Sequence, residues 1–271
     1  MQNPLLHQRG WLAPAVAALL ALPATGAPPS LSAQSLPPSP PPVFPPTVTW
    51  HDARLLGAFT LAAAAVMPAD RAVQRVMQRD GVQRSALLSN AANVFNAYGS
   101  PGVFAATAAI YTAGWATRRP KVARLGLRTG ETILLSGIVT GGLKGIAGRA
   151  RPYASPQRPG DWRLFSGVRD GARQSFPSGH TTAAFAFAAA MDREYRVLGL
   201  RSAYWVGPAL YGAATLTGLA RMHADKHWAS DVVMGAGVGL VSALVVSRFH
   251  AARYQQPPRW IDRRLLPRPR G

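Results

Sequence analysis

The chain has 271 residues, 48% of them hydrophobic, and a formal charge of +19 set by 30 Lys and Arg against 11 Asp and Glu. It contains no cysteine, which excludes disulfides, thiolate metal sites and cysteine-linked lipid anchors but not export. The basic excess is carried almost wholly by arginine, since Lys121, Lys144 and Lys226 are its lysines, and it points to phosphates or anionic membrane surfaces; no recognition motif accompanies it, so nucleic acid is not expected as a partner.

In chain order, residues 1–26 read as an export signal. Arg9 supplies a positive charge, residues 11–22 an apolar run short for a membrane span, and Ala24-Thr25-Gly26 small residues for cleavage. Residues 27–50 are rich in proline, which removes backbone donors and favours extended polyproline II, so they read as a spacer. Residues 51–254 read as one helical domain. Ala, Leu and Val dominate, no run alternates with period two, and Gly or Pro punctuates the apolar stretches. Helices are expected over 55–67, 72–79, 85–97, 103–117, 130–147, 181–193, 203–220 and 230–249, an all-α helical bundle. Residues 255–271 form a basic Pro/Arg-rich tail.

Basic residues collect between the expected helices at Arg118, Arg119, Lys121, Arg124 and Arg128, and again at Arg193, Arg196 and Arg201. This fits a membrane protein with a basic cytoplasmic end. Against it, most apolar runs are shorter than the roughly 20 residues a span needs. Six spans from Leu55 would also leave the spacer in the cytoplasm, whereas a signal sequence would export it. The expectation is therefore an exported, periplasmic or envelope bundle, water-soluble or peripherally bound; the alternative is an integral inner-membrane protein with an outward-facing site.

Three motifs carry chemistry. Lys144 and Arg151 are seven residues apart, two helical turns, so both are expected on one helical face ended by Pro152. An ammonium and a planar guanidinium suit the oxygens of one phosphate. In Pro177-Ser178-Gly179-His180, Ser178 stands at a helix N-cap, Gly179 lets backbone approach an anion, and His180 brings a titratable ring to it. His227 and Asp231, at i and i+4, are expected on one helical face, where the carboxylate fixes the tautomer and leaves the other imidazole nitrogen free to attack. Arg221 stands upstream to hold oxygens of the transferring group, and His223 is expected as a loop residue at the pocket rim. A metal-binding ladder of His223, His227 and Asp231 would leave the other two motifs unemployed, so no metal is expected.

The stretches KGIAGRARP (144–152), PSGH (177–180) and RMHADKHWASD (221–231) resemble the three signatures of the type 2 phosphatidic acid phosphatase superfamily, which includes lipid phosphatases, class A acid phosphatases and vanadium haloperoxidases. One departure is Ala220, where the family usually has serine. The resemblance implies a helical bundle of that type and a metal-independent phosphoric ester hydrolase. Lys144, Arg151, Arg221, Ser178 and the amide of Gly179 would hold the phosphate oxygens. His227 would attack phosphorus to give a phosphohistidine, with Asp231 orienting it. His180 would protonate the leaving alcohol and then activate water. The substrate would be a lipid phosphate or a soluble phosphomonoester, and no cofactor is implied beyond vanadate as an inhibitor or a haloperoxidase-type ligand. A membrane-embedded phosphatase of lipid phosphates or polyprenyl pyrophosphates is the alternative, followed by a vanadium-dependent haloperoxidase and a non-catalytic anion-binding protein.

Overall fold

The computed structural model describes residues 47–254. The expected signal, almost all of the spacer and the basic tail lie outside the described residues. Among the described residues there are nine α-helices: α1 (Trp50–Val66), α2 (Asp70–Met77), α3 (Asp80–Gln83), α4 (Ala86–Ala97), α5 (Val103–Ala116), α6 (Pro120–Ala147), α7 (Gly179–Val197), α8 (Ala203–His223) and α9 (Ala229–Tyr254). No strand occurs among the described residues beyond a single bridge between Arg149 and Trp162, so the all-α expectation holds.

Local chemistry explains where the helices depart from expectation. α1 starts five residues early because Thr49 and Asp52 form a capping box, and Arg248 of α9 pairs with Asp52 to dock the start of α1. α6 starts ten residues early, at Pro120 in the first helical position. Lys121, Arg124 and Arg128 therefore lie within its first turns and not between helices. Arg and Lys are good helix formers, so a charged stretch need not be a loop. Arg193 and Arg196 likewise belong to α7.

α7 is the central helix, buried on nearly every face from Thr181 to Glu194. Its alanines let neighbours approach closely. Val103, Leu125 and Ile133 of α5 and α6 join Ala183, Ala186, Phe187 and Met191 in the main core. On the other side a Cβ at Gly239 of α9 would stand 2.6 Å from the Thr182 carbonyl oxygen and 2.7 Å from the Ala186 nitrogen. Neither backbone atom can yield cheaply. Gly239→Val should therefore separate α7 from α9 and cost about 1–3 kcal/mol, read as a lower melting temperature of the purified protein.

The helices are also long. α6 has 28 residues, so Lys144 stands about 35 Å from Lys121 at the opposite end. Arg128 pairs there with Glu194 at 2.8 Å, bringing the start of α6 to the end of α7. Among the described residues two stretches, Trp50–Met77 and Ala229–Ala252, are long and apolar enough to cross a membrane. Large apolar side chains face outward along the bundle, among them Leu61 (73% exposed), Leu134 (64%) and Ile138 (65%). Such a surface is far more apolar than one wetted on all sides needs to be. Exposed Trp115, Tyr204 and Trp205 gather at the basic end, the placement favoured by aromatic side chains at a membrane interface.

Candidate active site

The three motifs meet at one end of the bundle, but not by the local geometry their spacing implied. α6 stops at Ala147, because Gly148 adopts the left-handed conformation (φ 57°) and its amide donates to the Lys144 carbonyl at 3.2 Å. A Cβ at Gly148 would collide with the Arg163 carbonyl, 1.7 Å away. Lys144 and Arg151 therefore do not share a helical face, and Pro152 does not end the helix. Arg151 arrives on the extended segment that follows, its amide held by the Ala172 carbonyl at 2.8 Å.

The second motif opens α7 as expected, with Ser178 at the N-cap position. Its hydroxyl, however, does not cap the backbone. It bonds Thr181 Oγ1 at 2.9 Å, and the Ser178 amide donates to the Asp231 carbonyl at 3.0 Å. The opening amides at Gly179 and His180, at the positive end of a 19-residue helix, lie beside Lys144, whose Cε would be 3.5 Å from a Cβ on Gly179. Lys144 Nζ donates to the Gln174 carbonyl at 2.5 Å. Arg221, in the last turn of α8, donates to Asn96 Oδ1 at 3.0 Å.

His227 and Asp231 are not on one helical face either. His227 lies in the connection before α9, and Asp231 sits in the first turn of that helix, where its Oδ2 accepts from the Trp228 amide at 2.9 Å. That helix-start bond turns the carboxylate toward His227 Nδ1, 3.6 Å away. Burial, above all, drives the His227 pKa down to about 3; Lys144 and Arg151 add to this and Asp231 opposes it, so the ring is neutral with a free lone pair.

Lys144, Arg151 and Arg221 are close enough to repel one another. The Nε atoms of Arg151 and Arg221 are buried without a hydrogen-bond partner, as is His227 Nδ1. Buried donors are rarely left unpaired, and a bound anion would supply the acceptors that the two guanidinium groups lack. His223 does not join it: its Nε2 is buried and unpartnered, and among the described residues no three His, Asp or Glu side chains gather as a metal ladder would require.

Sequence reasoning missed the residues behind Asp231. Arg149, 1% exposed, donates from Nη1 to Asp231 Oδ1 at 2.5 Å and from Nη2 to Asp70 Oδ2 at 2.7 Å. Asp70 in turn accepts from the amide and hydroxyl of Ser230, and Ser175 donates to Asp231 Oδ2 at 2.5 Å. Arg149 stacks over Trp162, 4.7 Å from its ring centroid. The one available signal was scarcity, Asp70 being one of 11 acidic residues beside an apolar run.

Residues 125–255 match the PAP2 superfamily. A lipid A 1-phosphatase of Rhizobium etli is 32% identical over 145 residues, which cover 50% of this chain and 57% of that protein. One of Porphyromonas gingivalis is 47% identical over 70 residues, 26% of this chain and 15% of its own length. The chain thus spans about half or less of these relatives. A transmembrane PAP2-type phosphatidylglycerolphosphate phosphatase from Bacillus subtilis shares the fold, with a TM-score of 0.54 over 75% of this chain and 97% of that one at 20% identity. The three motifs thus gather at one end of an all-α bundle, and residues 125–255, from within α6 through α9, form the part of the chain that matches the type 2 phosphatidic acid phosphatase (PAP2) superfamily.

Proposed function

We propose that this protein is a membrane-embedded lipid phosphatase that cleaves a phosphate monoester or pyrophosphate through a phosphohistidine. The observation that carries the proposal is the cluster of Lys144, Arg151 and Arg221, two of them with buried unpaired Nε donors, beside the buried His227–Asp231 pair. The outward apolar surface favours the membrane-embedded reading over the water-soluble or peripheral one expected from the sequence. Apolar runs alone underestimated the helices because charged ends extend them.

Phosphoryl transfer needs positioning and charge stabilisation above all. Lys144, Arg151, Arg221 and the first amides of α7 would hold the phosphate oxygens without a metal. Asp231 faces Nδ1, so the Nε2 lone pair of His227 attacks phosphorus. The P–O bond to the alcohol breaks as His180 gives that oxygen a proton. His180 then takes a proton from water, whose oxygen attacks phosphorus and frees His227 with inorganic phosphate. The relatives are named for lipid A, and a lipid of that kind is the first substrate to try.

The test is phosphate release by the purified protein in detergent with EDTA, comparing a dispersed lipid phosphate with a water-soluble ester. Preference for the lipid, undiminished by EDTA and inhibited by vanadate, is expected; cleavage of the soluble ester alone would defeat the lipid reading. In the first, phosphoenzyme-forming step, His180→Ala should release an alkyl alcohol about 10²–10⁴-fold more slowly yet lose little on aryl esters whose leaving groups need no proton. Equal loss on both would remove His180 from the acid role.

A further inference from the structure

A cavity of about 310 Å³ lies between α2, α4 and α8, and every side chain lining it is apolar except His223. Met77 forms one wall, Ala91 and Phe95 of α4 another, and Leu219, Ala220 and His223 of α8 the third. The side-chain amides of Gln78 and Gln83 both donate to the His223 carbonyl at 3.1 Å, fastening α2 and α3 over the end of α8.

Two pairs of neighbouring residues tie this cavity to the cationic cluster. Phe95 lines the cavity, while the next residue, Asn96, accepts from Arg221. Ala220 lines it, while the next residue is Arg221 itself. The apolar cavity and Arg221 thus both lie against α4 and the last turn of α8. His223, with its Nε2 buried and unpartnered, is the one polar group of the lining.

We propose that this cavity is the subsite for one alkyl or acyl chain of the substrate, whose phosphate rests on Lys144, Arg151 and Arg221. The inference rests on the lipid-phosphatase reading and adds the place of the chain. An amphiphile with an anionic head and an apolar tail matches the paired sites in both charge and polarity.

The experiment measures binding of butylphosphonate and dodecylphosphonate, which cannot be hydrolysed, to the full chain in nanodiscs. Ala91→Phe fills the cavity and Leu219→Gln makes it polar, and neither touches the cationic cluster. Preference for the longer chain should fall about tenfold in each variant, the equivalent of one or two buried methylenes, while hydrolysis of a soluble aryl phosphate stays at the wild-type rate and shows that the site is folded. Both variants keeping the wild-type preference would overturn the subsite. Dodecanol displacing a resident chain without competing with the phosphonate would overturn it too, as a site for bulk membrane lipid. Failure of the wild type to release phosphate from any ester would sink the phosphatase reading, and the binding ratio would still decide the cavity.

Discussion

His227→Ala is expected to abolish phosphate release, by about 10⁴-fold or more, with every other residue of the cluster in place. The size follows from the role: losing the attacking group forfeits the covalent route altogether. His227 is 4% exposed, and its burial beside two cations keeps the imidazole unprotonated, so its lone pair is available across the physiological range. Substrate binding should survive, because Lys144, Arg151 and Arg221, the residues proposed to hold the oxygens, remain. Rapid quenching with labelled substrate tests the assignment directly. His180→Ala should accumulate an acid-labile phosphoenzyme from an aryl ester, since the water-activating base is gone, and His180→Ala/His227→Ala should accumulate none. A labelled enzyme in the double variant would place the nucleophile elsewhere.

Arg149→Leu is expected to have the largest effect on stability together with a loss of turnover. Its guanidinium balances two carboxylates at once, with side-chain exposures of 1% for Arg149 and 0% for both Asp70 and Asp231. Removing the cation leaves two buried negative charges without their counter-ion, a change that costs about 3–5 kcal/mol in comparable sites. For a chain of this size that lowers the melting temperature by on the order of 10 °C. Activity should fall as well, because Asp231 would turn away from His227 or take up a proton. Arg149→Leu/Asp70→Leu separates the two effects. Removing one carboxylate should recover part of the stability, whereas kcat should stay low because Asp231 still lacks the bond to Oδ1. Recovery of both together would make Arg149 a purely structural residue, not one that positions Asp231.

Much of the fold was legible because helices declare themselves locally. Seven of the eight expected segments start within five residues of an observed helix, and Ser85 caps α4 as its side chain suggests. The start of α6 was misread because Arg and Lys at 118–128 looked like a connection, yet those side chains favour a helix and reach a polar end. Similarly, the short α3 and the π-helical turn Tyr98–Gly102 around Pro101 left no periodic trace.

By itself the sequence determined the chemical inventory: three cations, two histidines and a carboxylate in an ordered set of motifs, on a helical chain without cysteine. Only the tertiary structure decided how they meet. Lys144 and Arg151 converge from a helix and an extended segment, separated by a left-handed glycine, and not from one helical face. Asp231 reaches His227 through a helix-start bond, and its charge is balanced by Arg149, 82 positions away in the chain. Side-chain spacing reports the local backbone period and nothing beyond it. Burial, charge pairing and the cavity beside Arg221 arise from contacts between distant segments, and they exist only once those segments have closed on one another.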